Sequence, residues 1–128
     1  MEIDIPEVRA GLERAFWQYV EAIVANDIAT VTAAFWDSES ALRYGPGEQI
    51  YGKAAIAAFR KTQQGRRLGL AVTRLELTTF GEDFGIANCE MRRSDSDGIG
   101  RMSHTWVRFP EGWRIVAAHV SNAAPPAI

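Results

Sequence analysis

The chain has 128 residues, a formal net charge of −2 and 47% hydrophobic residues. This length fits one domain with a core of its own, and the small negative charge gives no attraction to nucleic acid or to an anionic membrane. One cysteine excludes an internal disulfide, and two histidines are too few for a recognisable zinc site. We therefore expect no metal and no cofactor.

Two further expectations concern reactivity and location. The single cysteine, Cys89, falls in a strand-like run, which predicts a buried and unreactive thiol. The first residues are acidic where a signal peptide would be basic and then apolar, and no apolar run reaches the about 20 residues of a membrane-spanning helix. We therefore expect a cytoplasmic protein.

The first half of the chain has the periodicity of helices. Apolar residues recur at three- and four-residue steps over residues 8–23, which predicts an amphipathic first helix. Asp4 fits the start of this helix, and residues 26–27 fit its end and the cap of a second helix over residues 28–35. A third helix is predicted over residues 53–64, where a glycine follows.

From residue 68 onward the alternation is typical of strands. The predicted strands cover residues 68–80, 84–93, 100–109 and 112–121, with two short strands at 40–44 and 49–51 before the third helix. Three helices followed by a long antiparallel meander predict an α+β domain. Its sheet should curl around the helices and leave one end open.

The last strand predicts which face of the sheet lines a pocket. A tight hairpin would pair Phe109 with Trp113, and hence Ser103 with His119. This register puts Ser103 and His119 on a face predicted to line the pocket, and His104 on a face predicted to meet solvent or a subunit. A structural histidine and a weak Ser103–His119 nucleophile pair both remain open.

Two segments carry a family resemblance. Residues 43–52 read Arg-Tyr-Gly-Pro-Gly-Glu-Gln-Ile-Tyr-Gly, and the second segment is 103–121. Together they resemble the AtzH/HpxZ-like family of the nuclear-transport-factor-2-like (NTF2-like, SnoaL-like, cystatin-like) superfamily. The resemblance implies a single SnoaL-like/AtzH-like domain over residues 1–128. It also implies a cone-shaped α+β fold, about three N-terminal helices packed in a curved antiparallel sheet, a deep pocket, and a homodimer formed through the outer face of the sheet.

The resemblance also implies a function. In that family a tyrosine of the first helix and an arginine of the first strand are implicated in catalysis, and Tyr19 and Arg43 occupy the matching positions. The implied activity is amide hydrolysis with loss of a carboxylate from dicarboxyurea, giving allophanate, in nitrogen catabolism. The chain departs from the family's pattern at His104, where glutamine is expected, and this leaves the substrate open.

The residue types fit this chemistry and also fit structural roles. The guanidinium of Arg43 can bind a planar carboxylate by two parallel hydrogen bonds, and the phenol of Tyr19 holds a proton that it can donate. The structural alternatives are a salt bridge from Arg43 to Glu48 or Glu90, and a core tyrosine whose hydroxyl reaches the rim. Further candidates for substrate binding are Ser103, His119 and Glu90.

Three functions therefore compete. The first is a metal-independent amidohydrolase or decarboxylase whose ligand is a small anionic amide or carboxylate. The second is a non-catalytic accessory or ligand-binding partner of a pathway amidase. The third is an isomerase or dehydratase with Glu90 as its base. The arginine pairs at 66–67 and 92–93 are predicted to be solvated surface rather than phosphate sites.

Overall fold

The computed structural model describes residues 1–65 and 68–124, and these ranges contain three helices and one six-stranded sheet. The elements are α1 (Pro6–Ala25), α2 (Ile28–Ala33), β1 (Leu42–Tyr44), β2 (Gln49–Tyr51), α3 (Lys53–Thr62), β3 (Leu70–Phe80), β4 (Phe84–Arg93), β5 (Ile99–Phe109) and β6 (Gly112–Ala123). The predicted α+β class and the order of the elements are confirmed. Within the described residues, none of the helices has the length and apolar character needed to cross a membrane.

The sheet order brings the two halves of the chain together. The strands lie in the order β2-β1-β6-β5-β4-β3. The four long strands form the predicted antiparallel meander, whereas β1 pairs with β6 in parallel. Arg43 of β1 consequently lies beside Ala118 of the last strand. This pairing carries a side chain from the helical half of the chain onto the inner face of the sheet.

The core lies between α1 and the inner face of the curved, open sheet. The buried side of α1 follows the predicted helical spacing and includes Val8, Leu12, Phe16, Tyr19 and Val20. A Cβ atom at Gly85 of β4 would collide with the side chain of Leu12. Glycine at that position therefore allows the helix to approach the sheet closely.

The helix ends confirm one predicted cap and correct another. Asn26 ends α1 in the left-handed conformation, and the Asp27 carboxylate caps α2 by accepting from the Thr30 backbone N–H at 3.2 Å. Asp4 does not cap α1. Its carboxylate accepts from the backbone N–H of Thr79 at 2.9 Å, so Asp4 ties the N-terminus to β3 instead.

The hairpin between β5 and β6 has a register that differs from the prediction at its turn. Phe109 pairs with Gly112, so the predicted pairing of Phe109 with Trp113 is wrong by one residue. A β-bulge next to Thr105 then places an extra residue, Val116, in β6. The two shifts cancel, and Ser103 pairs with His119 as predicted.

The same bulge overturns the predicted faces. Ser103 and His119 are exposed on the outer face, whereas His104 is 2% exposed and packs against α1. The prediction assumed that Ile115 and His119 share a face because four residues separate them. The extra residue moves Ile115 to the inner face and leaves His119 outside. The face that the sequence analysis placed in solvent is therefore the inner face, which the helices cover.

Cys89 of β4 is buried in the core, as predicted, with 5% of its surface exposed. Burial raises the pKa of this thiol to about 11. A thiol that stays protonated at neutral pH is a poor nucleophile, so Cys89 acts as a small apolar core residue.

Candidate functional site

A cavity of about 440 Å³ opens between α1, α3 and the inner face of the sheet. Its apolar wall comes from the sheet and from all three helices, and its polar wall holds arginine and carboxylate side chains. Tyr19 of α1 and Arg43 of β1 both line it. The structure thus places the two residues singled out by the family resemblance in one cavity. The cavity lining also includes Glu48, Phe59, Arg60, Arg93 and Asp95.

Arg43 is buried in the cavity wall and paired with a carboxylate. It is 6% exposed, and its Nη1 donates to Oε1 of Glu48. Gly45 makes room for this pair, because a Cβ atom there would collide with the Glu48 carboxylate. The guanidinium carbon of Arg43 lies 4.9 Å from the centre of the Phe59 ring. Burial, together with the nearby positive charge of Arg60, lowers the pKa of Arg43.

The Arg43–Glu48 pair is the structural alternative that the sequence left open, with Glu48 rather than Glu90 as the partner. It does not remove Arg43 from the cavity, because both residues of the pair line it. The Nε of Arg43 is buried and has no hydrogen-bond partner among the described residues. Arg43 therefore keeps donors in addition to the one that Glu48 uses.

The ring and the hydroxyl of Tyr19 each have a contact that holds the side chain in place. It is 3% exposed, and its ring packs edge-on against His104, with 5.2 Å between the ring centres. Its hydroxyl oxygen accepts a hydrogen bond from Nη2 of Arg60 at 3.3 Å. Because a guanidinium has no acceptor, the phenolic proton is not used in this bond. Tyr19 can therefore donate that proton to a molecule in the cavity.

Among the described residues, three arginines line the cavity, and two of them have carboxylate partners. Arg43 pairs with Glu48, and Arg93 donates from Nε and Nη2 to the two oxygens of Asp95, each at 3.0 Å. Arg60 has no carboxylate partner within residues 1–65 and 68–124. Three arginines against two carboxylates leave the described cavity wall with one excess positive charge. The described residues contain no cluster of three His, Cys, Asp or Glu side chains able to hold a metal ion.

The arginine pairs were predicted to lie on the solvated surface, and among the described positions this is correct for Arg92 but not for Arg93. Arg92 is exposed, whereas Arg93 points to the cavity because alternate residues of β4 face inward and outward. Residues 66–67 lie outside the described residues.

His104 is a buried neighbour of the site that the sequence placed on the wrong face. It packs against Tyr19 and Phe16, and neither ring nitrogen has a hydrogen-bond partner among the described residues. Burial, with the positive charges of Arg43 and Arg60 adding to it, lowers the pKa of His104 to about 3. The imidazole is therefore neutral at pH 7. The alternation of Met102 and His104 with polar residues was the signal that could have placed it inside.

Three predicted substrate-binding residues do not line the cavity. Ser103 and His119 are exposed on the outer face, where His119 packs edge-on against Tyr44 with 5.7 Å between ring centres. Glu90 shares the outer face, since its neighbours Cys89 and Met91 are the buried ones. Their predicted placement in the pocket is wrong because the helices cover the opposite face of the sheet.

Comparisons with known proteins identify relatives of nearly the whole chain. The AtzH-like family model matches residues 1–125. The chain belongs to the AtzH-like family. A search of the curated proteins finds no match.

Solved structures show how closely the AtzH-like fold is shared. A protein of unknown function from Pectobacterium atrosepticum is 42% identical, with a TM-score of 0.91 and 95% of each chain covered. A cystatin-like fold protein from Burkholderia xenovorans is 38% identical, with a TM-score of 0.91, and the match covers 98% of this chain and 99% of that one.

More distant structures share the fold alone. They include NTF2-like proteins and a ketosteroid isomerase-like protein from Erwinia carotovora atroseptica. The latter is 17% identical, with a TM-score of 0.72 and coverage of 94% of this chain and 100% of that one. The AtzH-like chain thus has the cystatin-like, NTF2-like fold, which hosts many different activities.

Proposed function

We propose that this AtzH-like protein is a small amidohydrolase or decarboxylase of nitrogen catabolism, and that it removes a carboxylate from N-carboxylated urea-like compounds. Dicarboxyurea, which would give allophanate, is the type of substrate that the family resemblance implies. In this proposal Arg43 binds carboxylate and Tyr19 donates a proton. No group beyond the protein's own side chains is required.

The observation that carries the proposal is the convergence of Tyr19 and Arg43 on one cavity of about 440 Å³. Several features of the wall support it. The described residues of the cavity wall carry an excess positive charge, which favours an anion, and the hydroxyl of Tyr19 has a proton to give. The surrounding apolar residues strengthen both interactions by excluding water.

The proposed step is a protonation coupled to cleavage of a C–N bond. The O–H of Tyr19, directly or through a water, gives its proton to the nitrogen that bears the carboxylate. The electron pair of the C–N bond goes to that nitrogen, and carbon dioxide leaves. Solvent then returns a proton to the tyrosinate. Proton donation of this kind contributes about 10²–10⁴-fold to a rate.

The competing functions make different demands on the structure. An isomerase or dehydratase with Glu90 as its base is not favoured, because Glu90 is on the outer face and does not line the cavity. A non-catalytic accessory partner of an amidase would bind the ligand in this cavity but would not convert it. Purified protein, assayed alone, separates that role from the proposed one.

The test is release of labelled carbon dioxide and bicarbonate from ¹³C-labelled N-carboxyureas, followed by NMR above the uncatalysed rate. We expect Tyr19→Phe to lower turnover by about 10²–10⁴-fold, and Arg43→Gln to weaken both binding and turnover. Tyr51→Phe and Arg101→Gln are matched controls, because both side chains are exposed outside the cavity. Full turnover in both cavity variants would disprove the proposal.

A further inference from the structure

Arg60 is the cavity arginine whose charge has no carboxylate partner in the described residues. Arg43 is paired with Glu48, and Arg93 forms two hydrogen bonds to Asp95. Nη2 of Arg60 donates to a neutral phenol, the hydroxyl of Tyr19, at 3.3 Å, and the Nε of Arg60 is buried without a partner in the described residues. A guanidinium that is half-buried and unpaired is unusual, since buried charges are normally paired.

We propose that Arg60 is the primary anion-binding residue of the cavity, and that it takes a carboxylate adjacent to an amide. This inference rests on the proposed function, because it concerns the same cavity and the same kind of ligand. It assigns the first contact with the anion to Arg60 of α3 rather than to Arg43 of β1. Arg43 is the second contact, through the donors that Glu48 leaves unused.

The partners that the two guanidinium groups already have favour Arg60 over Arg43 as the first contact of a ligand carboxylate. A carboxylate that approaches Arg43 competes with Glu48, which already accepts from Nη1. A carboxylate that approaches Arg60 competes with no anion of residues 1–65 and 68–124 and meets a planar fork of N–H groups. The excess positive charge of the described cavity wall is therefore located on Arg60, where it can balance the charge of one carboxylate of the ligand.

The surroundings of Arg60 keep its guanidinium in place. The ring of Phe59 lies next to both arginines, with its centre 5.7 Å from the guanidinium carbon of Arg60 and 4.9 Å from that of Arg43. An aromatic face attracts a guanidinium and reduces the entropy lost when it binds an anion. The ligand carboxylate would then lie between two cations held against one ring.

The hydrogen bond between Arg60 and Tyr19 connects binding to chemistry. A carboxylate on Arg60 lies next to the Tyr19 hydroxyl, whose oxygen already accepts from Arg60. The phenolic proton is consequently directed away from Arg60 and towards the ligand. The residue that binds the anion would thus also orient the proton donor.

The test is calorimetric titration with oxamate, a stable planar monoanion that joins an amide to a carboxylate. We expect Arg60→Gln to weaken oxamate binding by about 10- to 100-fold, the effect of losing charge-assisted hydrogen bonds. Arg101→Gln is the matched control, because it removes the same charge from the outer face and should bind oxamate like the wild type. Arg60→Lys keeps the charge but loses the planar fork, and should give an intermediate affinity.

The outcomes separate this inference from the proposed function. Oxamate binding that is unchanged in Arg60→Gln and Arg60→Lys, or absent in the wild type at millimolar concentration, would overturn the role of Arg60. Binding that depends on Arg60 without turnover of any N-carboxyurea would support the anion site and remove the proposed activity. If turnover depends on Tyr19 but oxamate binding does not depend on Arg60, the proposed activity is supported and the anion site at Arg60 is refuted.

Discussion

His104 should make the stability of this protein depend on pH in a way that one substitution can abolish. The imidazole is fully enclosed, and burial lowers its pKa to about 3, against an ordinary value of 6.5. Above pH 6.5 the ring is neutral in both the folded and the unfolded chain. As the pH falls below 6.5 the unfolded chain takes up a proton that the folded chain refuses, so the free energy of unfolding decreases until about pH 3.

The size of the effect follows from the two pKa values. At 1.36 kcal/mol per pKa unit, lowering the pH from 7 to 5 should cost about 2 kcal/mol through His104 alone, and lowering it from 7 to 3 about 4 kcal/mol. For a chain of this length, 2 kcal/mol corresponds to a fall in Tm of about 6–10 °C.

The assay is urea unfolding followed by tryptophan fluorescence at pH 7, 6 and 5, for the wild type and for His104→Gln. Glutamine does not titrate, so the variant should lose about 2 kcal/mol less than the wild type between pH 7 and 5. All other titratable groups are common to both proteins and cancel in the comparison. Parallel pH profiles for the two proteins would refute the argument, because they would mean that His104 is protonated in the folded state.

Four further predictions follow from particular contacts. Glu48→Gln should tighten oxamate binding, measured by calorimetry, and lower the free energy of unfolding by about 1–3 kcal/mol, because its buried arginine partner loses its counter-charge; unchanged affinity would show that Glu48 does not compete with the ligand. Gly85→Ala should destabilise the fold by about 1–3 kcal/mol in urea unfolding through overpacking against α1, whereas Gly47→Ala, with open space around it, should not. Cys89 should react with a thiol reagent much more slowly in the native protein than in urea. We also propose that the protein dimerises through the outer sheet face, where Tyr51 is 61% exposed; Tyr51→Glu should then give a monomer in light scattering, and an unchanged mass would contradict this interface.

The sequence by itself predicted the elements and their order. The spacing of apolar residues predicted α1, and the alternation and glycine-rich turns predicted the four strands of the meander to within a few residues. These signals are local, because a helix or a strand is recognised from residues that are neighbours in the chain. The resemblance to the AtzH-like family added Tyr19 and Arg43, which the fold brings into one cavity.

Tertiary structure decided which face of the sheet is inside and which charges are paired. One bulged residue, Val116, reversed the predicted faces, and a bulge cannot be read from alternation because it is a break in it. Within the described residues, Arg60 lacks a carboxylate partner while Glu48 and Asp95 pair with the other two cavity arginines. His104 is buried because α1, which is distant in the chain, packs over β5. Pairing and burial are set by distances across the fold, which only the packed chain defines.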